Sequence, residues 1–373
     1  MIERITSFGN RLRGGLLRED PRRTRSQPVL SPHPIRVQAT EGSILEDPTD
    51  YSVWYCDGRP RYATCSGVSW FHQNYLVTVN VLGNAIHTYR YEADADRLTL
   101  LQTLRNTQSM IKPENVSVSP TGTLVAMTDM GAGNLKVFRL DKQSHRIADQ
   151  PSAIIDAGDR TAHGLAFSHC GQFLASTTVD KPGAVRVYRV HKEDSPAPPS
   201  TDRSKTTDQS ASPLRIEHLQ DFENTLFPLV PKGIDFSRDG DFVVICYAPN
   251  VARKNTRDRR GRLATHAFDP KTGINPKPLS VSRRRHHIRC PDDVSLFGQD
   301  HFAVLTQQGD DSALVVEIDP STGKISDYTE LLRNPGAQLS FPHGVGVSPD
   351  GRFVAITSYG DDKFGIYPVR TGT

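Results

Sequence analysis

The sequence predicts an all-β protein, a single β-propeller with six visible four-stranded blades. A motif of two short apolar strands joined by a Ser-Pro-Asp-Gly-like turn recurs six times along the 373 residues. The copies start 48 to 69 residues apart, which suits blades of four strands with their loops. The 28 Gly and 26 Pro fit many tight turns and argue against long helices.

The six copies of the motif supply the two inner strands of each blade. The clearest copy is the last, in which a Gly/Val-rich strand, a Ser-Pro-Asp-Gly turn and a second apolar strand follow one another. The copies span Cys65–Val77, Pro113–Met127, Ala162–Ser176, Pro231–Ile245, Pro291–Val304 and Phe341–Thr357.

The outer half of each blade is predicted from the segments that follow each motif. Apolar or alternating runs predict third strands at Ile86–Tyr91, Leu135–Leu140, Val185–Val190, Leu263–Phe268, Leu314–Ile318 and Phe364–Val369. More polar segments predict fourth strands at Ser152–Ile155, Leu214–His218 and Ser326–Glu330.

The last motif is followed by only one further strand before the chain ends at Thr373. We therefore expect an N-terminal strand, Pro34–Thr40, to close the ring by completing this blade, since closure removes exposed sheet edges. A seventh, degenerate blade around Ser43–Tyr62 stays open as an alternative.

The motif resembles the repeats of the YVTN-type and lactonase-like propeller family, which includes 6-phosphogluconolactonase-like enzymes. Pro342–Ala355 and Ala162–Ser168 carry the resemblance, which extends roughly from Ser66 to Val369. It implies the propeller architecture more strongly than an activity, because the family also contains other ring-opening enzymes and binding proteins. The chain departs from the family in its long basic insertions.

A candidate site follows from the position of one residue in each motif, here called the head residue. The innermost strands of a propeller begin at the same face beside the central channel, so the head residues should surround one channel mouth. Unlike the apolar positions after them, they differ from blade to blade. The head residues are Ser66, Glu114, His163, Lys232, Asp292 and His343. Loops on the same face add Asp129, Asp180 and Tyr359 as candidate ligand-binding residues.

Three interpretations of the head residues remain open. Glu114, His163, Asp292 and His343 are acceptable ligands for one divalent metal ion. Alternatively, His163 or His343 acts as a general base with Glu114 or Asp292 as its partner, while Lys232 and Ser66 help to bind the substrate. Finally, the groups pair with one another and only satisfy a polar channel.

Two basic insertions should lie on the same face, near Lys232. They span residues 252–262, with Arg253, and residues 283–289, with Arg284. Such a rim would attract a small anionic molecule or an acidic protein, and its lack of interleaved aromatic residues argues against nucleic acid. Residues 191–213, rich in Ser and Pro, are predicted to be a disordered loop. Residues 1–33 are predicted to be a flexible basic arm that precedes a propeller spanning 34–373.

The bulk composition narrows the cellular setting. No segment approaches the roughly 20 apolar residues of a membrane-spanning helix, and the Arg-rich N-terminus lacks the apolar core of a secretory signal. The five cysteines contain no C-x-x-C pair and are odd in number, so we predict reduced thiols in a cytoplasmic protein. The net charge of +3 makes any basic surface a local feature.

Together these observations favour a lactonase-like propeller that hydrolyses or isomerises a small anionic, sugar-derived ligand at the channel mouth. The alternative is a non-catalytic scaffold that holds an acidic protein or another subunit through its basic face. Converging His, Glu and Asp side chains would favour chemistry, whereas an apolar plug in the channel would favour the scaffold.

Overall fold

The computed structural model of the protein describes residues 34–36, 49–52 and 65–369, with gaps at 82, 96, 106–109, 159–160, 181, 192–213, 225–227, 250–259, 333–338 and 361–362. The described residues form six antiparallel sheets and two single-turn 3₁₀ helices. Neither helix approaches the length needed to cross a membrane. The predicted all-β propeller with six blades is confirmed.

Each sheet contributes one strand to each of four concentric layers, numbered here in chain order. The innermost strands are β3 (Cys65–Phe71), β7 (Pro113–Val118), β11 (Ala162–Phe167), β15 (Val230–Phe236), β19 (Pro291–Phe297) and β23 (Pro342–Val347). The second strands are β4 (Tyr75–Asn80), β8 (Leu124–Asp129), β12 (Phe173–Thr178), β16 (Phe242–Ala248), β20 (Phe302–Gln307) and β24 (Phe353–Ser358).

The two outer layers complete the sheets. The third strands are β5 (Ala85–Glu92), β9 (Asn134–Arg139), β13 (Ala184–Val190), β17 (Arg262–Asp269), β21 (Ser312–Asp319) and β25 (Lys363–Pro368). The outer strands are β6 (Arg97–Arg105), β10 (Ala153–Asp156), β14 (Ile216–Glu223), β18 (Gly273–Val281), β22 (Lys324–Leu332) and β2 (Thr49–Ser52), with β1 (Pro34–Arg36) paired beyond β2. Sheets one to six are named after the order of β3, β7, β11, β15, β19 and β23.

N-terminal residues complete sheet six, as expected, but the segment beside β25 is β2 rather than the predicted Pro34–Thr40. Thr49 pairs with Ile366 and Ser52 with Lys363, while β1 lies on the far side of β2. The chain then passes from the outer strand β2 to the innermost strand β3, the same connection that links every other pair of neighbouring sheets. Of the segment Ser43–Tyr62, the alternative seventh blade, the structure describes Thr49–Ser52 alone, and these residues belong to sheet six.

Six apolar cores hold the ring together, one between each pair of neighbouring sheets. The core between sheets six and one contains Trp70, Tyr91, Phe353 and Ile366. The Trp70 ring stacks on Phe353 at 6.0 Å, and its Nε1 donates a hydrogen bond to the carbonyl of Gly346 at 3.1 Å. Sheet six therefore packs directly against sheet one, and the described blades close a ring of six.

A serine and a glycine shape the turn between the first two strands in four of the sheets. In the last motif, the Ser348 Oγ accepts a hydrogen bond from the Phe353 amide at 2.9 Å, and the Gly351 amide donates to the Ser348 carbonyl at 2.8 Å. Gly351 has φ +71°, which glycine adopts without the cost that a Cβ imposes. The same serine contact recurs at Ser119, Ser168 and Ser237.

Candidate active site

Each head residue lies where the pairing of its innermost strand with the second strand is interrupted. In all six pairs of innermost and second strands, the register is interrupted after the residue that precedes the head residue. Pairing resumes three positions later on the innermost strand and two positions away on the second strand. The interruption takes in the head residue and the residue after it. Such irregularities change the direction of a side chain. Here they occur at the head residues, whose side chains face the ring axis.

A threonine in the second strand fixes the backbone around most head residues. Its Oγ1 accepts a hydrogen bond from the amide that follows the head residue of its own sheet, 13 positions earlier in the chain. The same hydroxyl donates to the carbonyl of the head residue in the next sheet. The four bridging residues are Thr128, Thr177, Thr306 and Thr357.

This bridge also crosses the junction that closes the ring. Thr357 of β24 accepts from the Gly344 amide at 2.7 Å and donates to the Ser66 carbonyl at 2.6 Å. In sheet four, Cys246 takes the threonine position and its Sγ accepts from the Gly233 amide at 3.2 Å. These residues were not predicted from the sequence, although their constant spacing of 13 positions is visible in the repeat.

The six head residues converge in one contact network at the axis. Nε2 of His343 lies 3.1 Å from Glu114 Oε1, and its Nδ1 lies 2.9 Å from Asp292 Oδ2 and 3.1 Å from Ser66 Oγ. His343 therefore sits between two carboxylates, and its ring lies 5.8 Å from that of His163 in a stacked orientation.

The other half of the network surrounds Lys232. Its Nζ donates to Asp292 Oδ1 at 2.7 Å and to His163 Nε2 at 2.8 Å. Nε2 of His163 lies 3.3 Å from Glu114 Oε1 and 3.6 Å from Asp292 Oδ1. Asp292 and Glu114 thus join the two histidines and the lysine into a single cluster of ionisable groups.

The two histidines differ in protonation state because their surroundings differ in charge. Burial alone would lower the pKa of His343, but the charges of Asp292 and Glu114 outweigh burial and raise this pKa to about 10. Burial, followed by the charge of Lys232, lowers the pKa of His163 to about 4. At neutral pH the cluster therefore pairs a cationic His343 with a neutral His163.

The remaining ionisable groups of the cluster are charged. Burial would raise the pKa of Asp292 and of Glu114, but the charge of His343 is the largest opposing influence and both pKa values are lowered. Burial opposes the charge of Lys232, yet Asp292 raises its pKa. Two carboxylates thus face two cations, which lets a buried cluster stay ionised.

The two cations are also the most exposed charged groups of the cluster. The exposed fraction of the side chain is 14% for Lys232 and 10% for His343, against 0% for Asp292 and 3% for His163. The Tyr359 ring lies 5.4 Å from that of His343. Positive charge therefore contributes more to the accessible surface of the cluster than negative charge does.

Two of the candidate ligand-binding residues, Asp129 and Asp180, form contacts that stabilise their own loops. Asp129 is buried, forms an ion pair with Lys136 at 2.6 Å and accepts the Ile111 amide at 2.8 Å. Asp180 accepts the Thr161 amide. These contacts stabilise the loops that contain them, and a role of either carboxylate in ligand binding stays a prediction.

The basic insertions are only partly described. Arg253 and the rest of residues 250–259 lie outside the described residues, as do residues 1–33 and 192–213. Arg284 is exposed on a 3₁₀ turn, Arg284–His286, whose buried His286 contacts the Ser326 carbonyl of β22 at 2.8 Å. This contact with an outer strand places Arg284 toward the periphery of the ring rather than among the head residues.

Asp293, beside the head residue Asp292, was also not predicted from the sequence as a functional residue. It is buried, and its Oδ2 accepts the Val345 amide of sheet six at 3.1 Å. Burial, together with the charge of Asp292, raises the pKa of Asp293 to about 7. One carboxylate of this adjacent pair faces the axis as an anion, while the other joins two blades and titrates near neutral pH.

Cys65, Cys170, Cys246 and Cys290 are present as thiols rather than in disulfides, and Cys56 lies outside the described residues. The cytoplasmic location stays a prediction.

A family model and several solved structures match the chain. The model, described as "Lactonase, 7-bladed beta-propeller", matches residues 69–339, well over half of the chain. A Bacteroides fragilis protein assigned as a 6-phosphogluconolactonase has 11% identity and a TM-score of 0.51, covering 87% of this chain and 86% of its own. The Pseudomonas aeruginosa periplasmic gluconolactonase has 17% identity and a TM-score of 0.55, covering 90% and 91%.

A third solved structure, of a Lactobacillus plantarum protein, has 13% identity and a TM-score of 0.53, covering 87% of each chain. A search of curated proteins finds no match. At these identities the structural likeness supports the fold alone.

Proposed function

The chain belongs to the lactonase family of β-propellers, and from this premise we propose that its head residues catalyse the hydrolytic opening of a small anionic sugar lactone. One observation carries the proposal. The cluster holds a neutral histidine and a cationic histidine with their rings 5.8 Å apart, and ester hydrolysis needs both a base and a stabiliser of negative charge. Two proteins of similar structure, the gluconolactonase and the protein assigned as a 6-phosphogluconolactonase, suggest the class of substrate.

His163 is the better candidate for the general base. The charges of Asp292 and Glu114 keep His343 protonated, whereas His163 is neutral and can accept a proton. Lys232 Nζ donates to His163 Nε2 but also to Asp292 Oδ1, so it can release the imidazole nitrogen without losing its ion pair.

The reaction then divides between the two sides of the cluster. His163 takes a proton from water as the water oxygen bonds to the lactone carbonyl carbon. Lys232 and His343 stabilise the negative charge that develops on the carbonyl oxygen, which is most effective in surroundings with little water. The bond from that carbon to the ring oxygen breaks, and the ring oxygen leaves as a hydroxyl with the proton returned by His163.

The position of the cations supports an anionic substrate. Lys232 and His343 are the most exposed charged groups of the cluster, so a carboxylate or phosphate approaching from the mouth is attracted before it reaches Glu114 and Asp292. The alternative function, a scaffold for an acidic protein, would use the same attraction without chemistry and stays a prediction.

The test is the hydrolysis of D-glucono-δ-lactone and its 6-phosphate by the full chain, followed as proton release above the spontaneous rate. We expect His163→Gln to lower kcat by ~10²–10⁴-fold, the usual contribution of a general base. His218→Gln is the matched control, because His218 is exposed and pairs with Asp221 on an outer strand. A wild-type rate equal to the spontaneous rate for both lactones, or full activity of His163→Gln, would contradict the proposal.

A further inference from the structure

Four of the head residues have the geometry of a coordination shell. Glu114, His163, Asp292 and His343 are all buried, and each comes from a different sheet. One oxygen or nitrogen atom from each lies within 4.8 Å of those from the other three.

The shorter distances between these atoms match a shared ion. Glu114 Oε1 lies 3.3 Å from His163 Nε2 and 3.1 Å from His343 Nε2, and His163 Nε2 lies 3.6 Å from Asp292 Oδ1. Ligand atoms ~2.1 Å from one ion are separated by roughly 3.0–3.5 Å along the edges of a tetrahedron or octahedron. Small side-chain adjustments, with release of one proton from His343 to the solvent, would therefore bring all four ligand atoms onto a common centre.

A cation already occupies part of this shell. Nζ of Lys232 lies 2.7 Å from Asp292 Oδ1 and 2.8 Å from His163 Nε2, so two of the four ligand residues bind an ammonium group. The lysine side chain is 14% exposed and flexible, which allows its ammonium group to withdraw toward the mouth.

We infer that Glu114, His163, Asp292 and His343 form a binding site for one divalent transition-metal ion, and that the Lys232 ammonium group competes with the ion for this site. Two imidazoles with two carboxylates favour Zn²⁺, Mn²⁺ or Fe²⁺ over Mg²⁺ and Ca²⁺, which prefer oxygen ligands alone. The inference does not rest on the proposed lactone hydrolysis, because it concerns binding only.

Zn²⁺ binding to the chelator-treated full chain tests the inference by calorimetry and by metal analysis. We expect one Zn²⁺ per chain. Lys232→Met should bind Zn²⁺ at least ~10-fold more tightly because it removes the competing charge. Glu114→Gln and His163→Gln should each bind at least ~10-fold more weakly, since each loses a ligand. His218→Gln, at an exposed ion pair, should leave the affinity unchanged.

Thermal melting without Zn²⁺ establishes that each variant is folded. Two ligand variants are used so that the test remains valid if one of them does not fold. The inference is overturned if neither the wild type nor Lys232→Met binds stoichiometric Zn²⁺, or if both ligand variants bind like the wild type. Because no lactone is present, failure here leaves the proposed hydrolysis untouched. A bound ion would occupy the nitrogen of His163 that acts as the base, so the hydrolysis is measured with metal-free protein, whose inactivity would refute only the hydrolysis.

Discussion

At the residue scale, two histidines at equivalent positions of the repeat behave as opposites because their neighbours differ. His343 has Glu114 beside one ring nitrogen and Asp292 beside the other, so protonation pairs it with negative charge on both sides. His163 receives a hydrogen bond from the Lys232 ammonium group, which disfavours a second positive charge. The repeat supplies the same backbone position to both, and the neighbouring sheets decide their chemistry.

The protonation of His343 has a consequence for stability. Because its pKa is raised from 6.5 to about 10, its contribution is fully present below pH ~6.5 and is lost as the pH rises toward 10. Glu114→Gln removes one of the two charges responsible. We expect its free energy of unfolding at pH 7 to be ~3 kcal/mol lower than that of the wild type, as for a broken buried ion pair. Between pH 7 and 10 this variant should lose less stability than the wild type.

Urea unfolding of both proteins across this pH range is the measurement. Glu217→Gln is the matched control, because Glu217 also contacts a histidine, His191, but is 53% exposed, and we expect a change within about 0.5 kcal/mol. Equal stabilities of the wild type and Glu114→Gln at pH 7 would show that the His343 pair is not formed.

The head residues could be predicted from the sequence, but their partners could not. The six positions follow from the repeat, and the structure brings all six together. Which histidine is neutral depends on distances between side chains of different sheets, such as the 2.8 Å between Lys232 and His163, which no local pattern encodes. Arg284 was expected near Lys232 because its loop precedes an innermost strand, whereas the buried His286 anchors that loop to an outer strand.

At the element scale, the bridging threonines link neighbouring blades through buried hydrogen bonds rather than apolar contact alone. Thr306 accepts the Asp293 amide at 3.0 Å and donates to the His343 carbonyl at 2.5 Å. It thereby fixes the head residue of the next sheet, and we regard it as a positioning residue. The strand pattern of the repeat was predictable, because apolar strands and Ser-Gly turns are local features, but these bridges join distant sheets.

Replacing a bridging threonine tests this account of the blade junctions. Thr306→Val keeps the shape but leaves a buried amide and a buried carbonyl unpaired, and we expect a loss of ~3 kcal/mol in the free energy of unfolding. In sheet four the repeat has Cys246 at the same position, so Cys246→Thr should be tolerated with little loss. Urea unfolding measures both, and a Thr306→Val protein as stable as the wild type would exclude the bridge as a source of stability.

At the scale of the whole molecule, the ring closes with one blade fewer than the family's description states. Six apolar cores lie between six described sheets, and the last core joins sheet six to sheet one through Trp70 and Phe353. Six blades meet at about 60° rather than the roughly 51° of seven, which brings the head residues closer to the axis. This closeness helps to explain why six side chains from separate blades form one contact network instead of lining an open channel.

The central claim is that the head residues at this axis form the site of lactone opening. A crystal structure of the full chain grown with saturating D-gluconate, the hydrolysis product of D-glucono-δ-lactone, tests it most directly. We predict a closed ring of six sheets, with the gluconate carboxylate ~3 Å from Lys232 Nζ or His343, within hydrogen-bond reach. Gluconate bound only elsewhere, or no bound gluconate with the Lys232–Asp292 and His343–Glu114 contacts unchanged, would contradict the account.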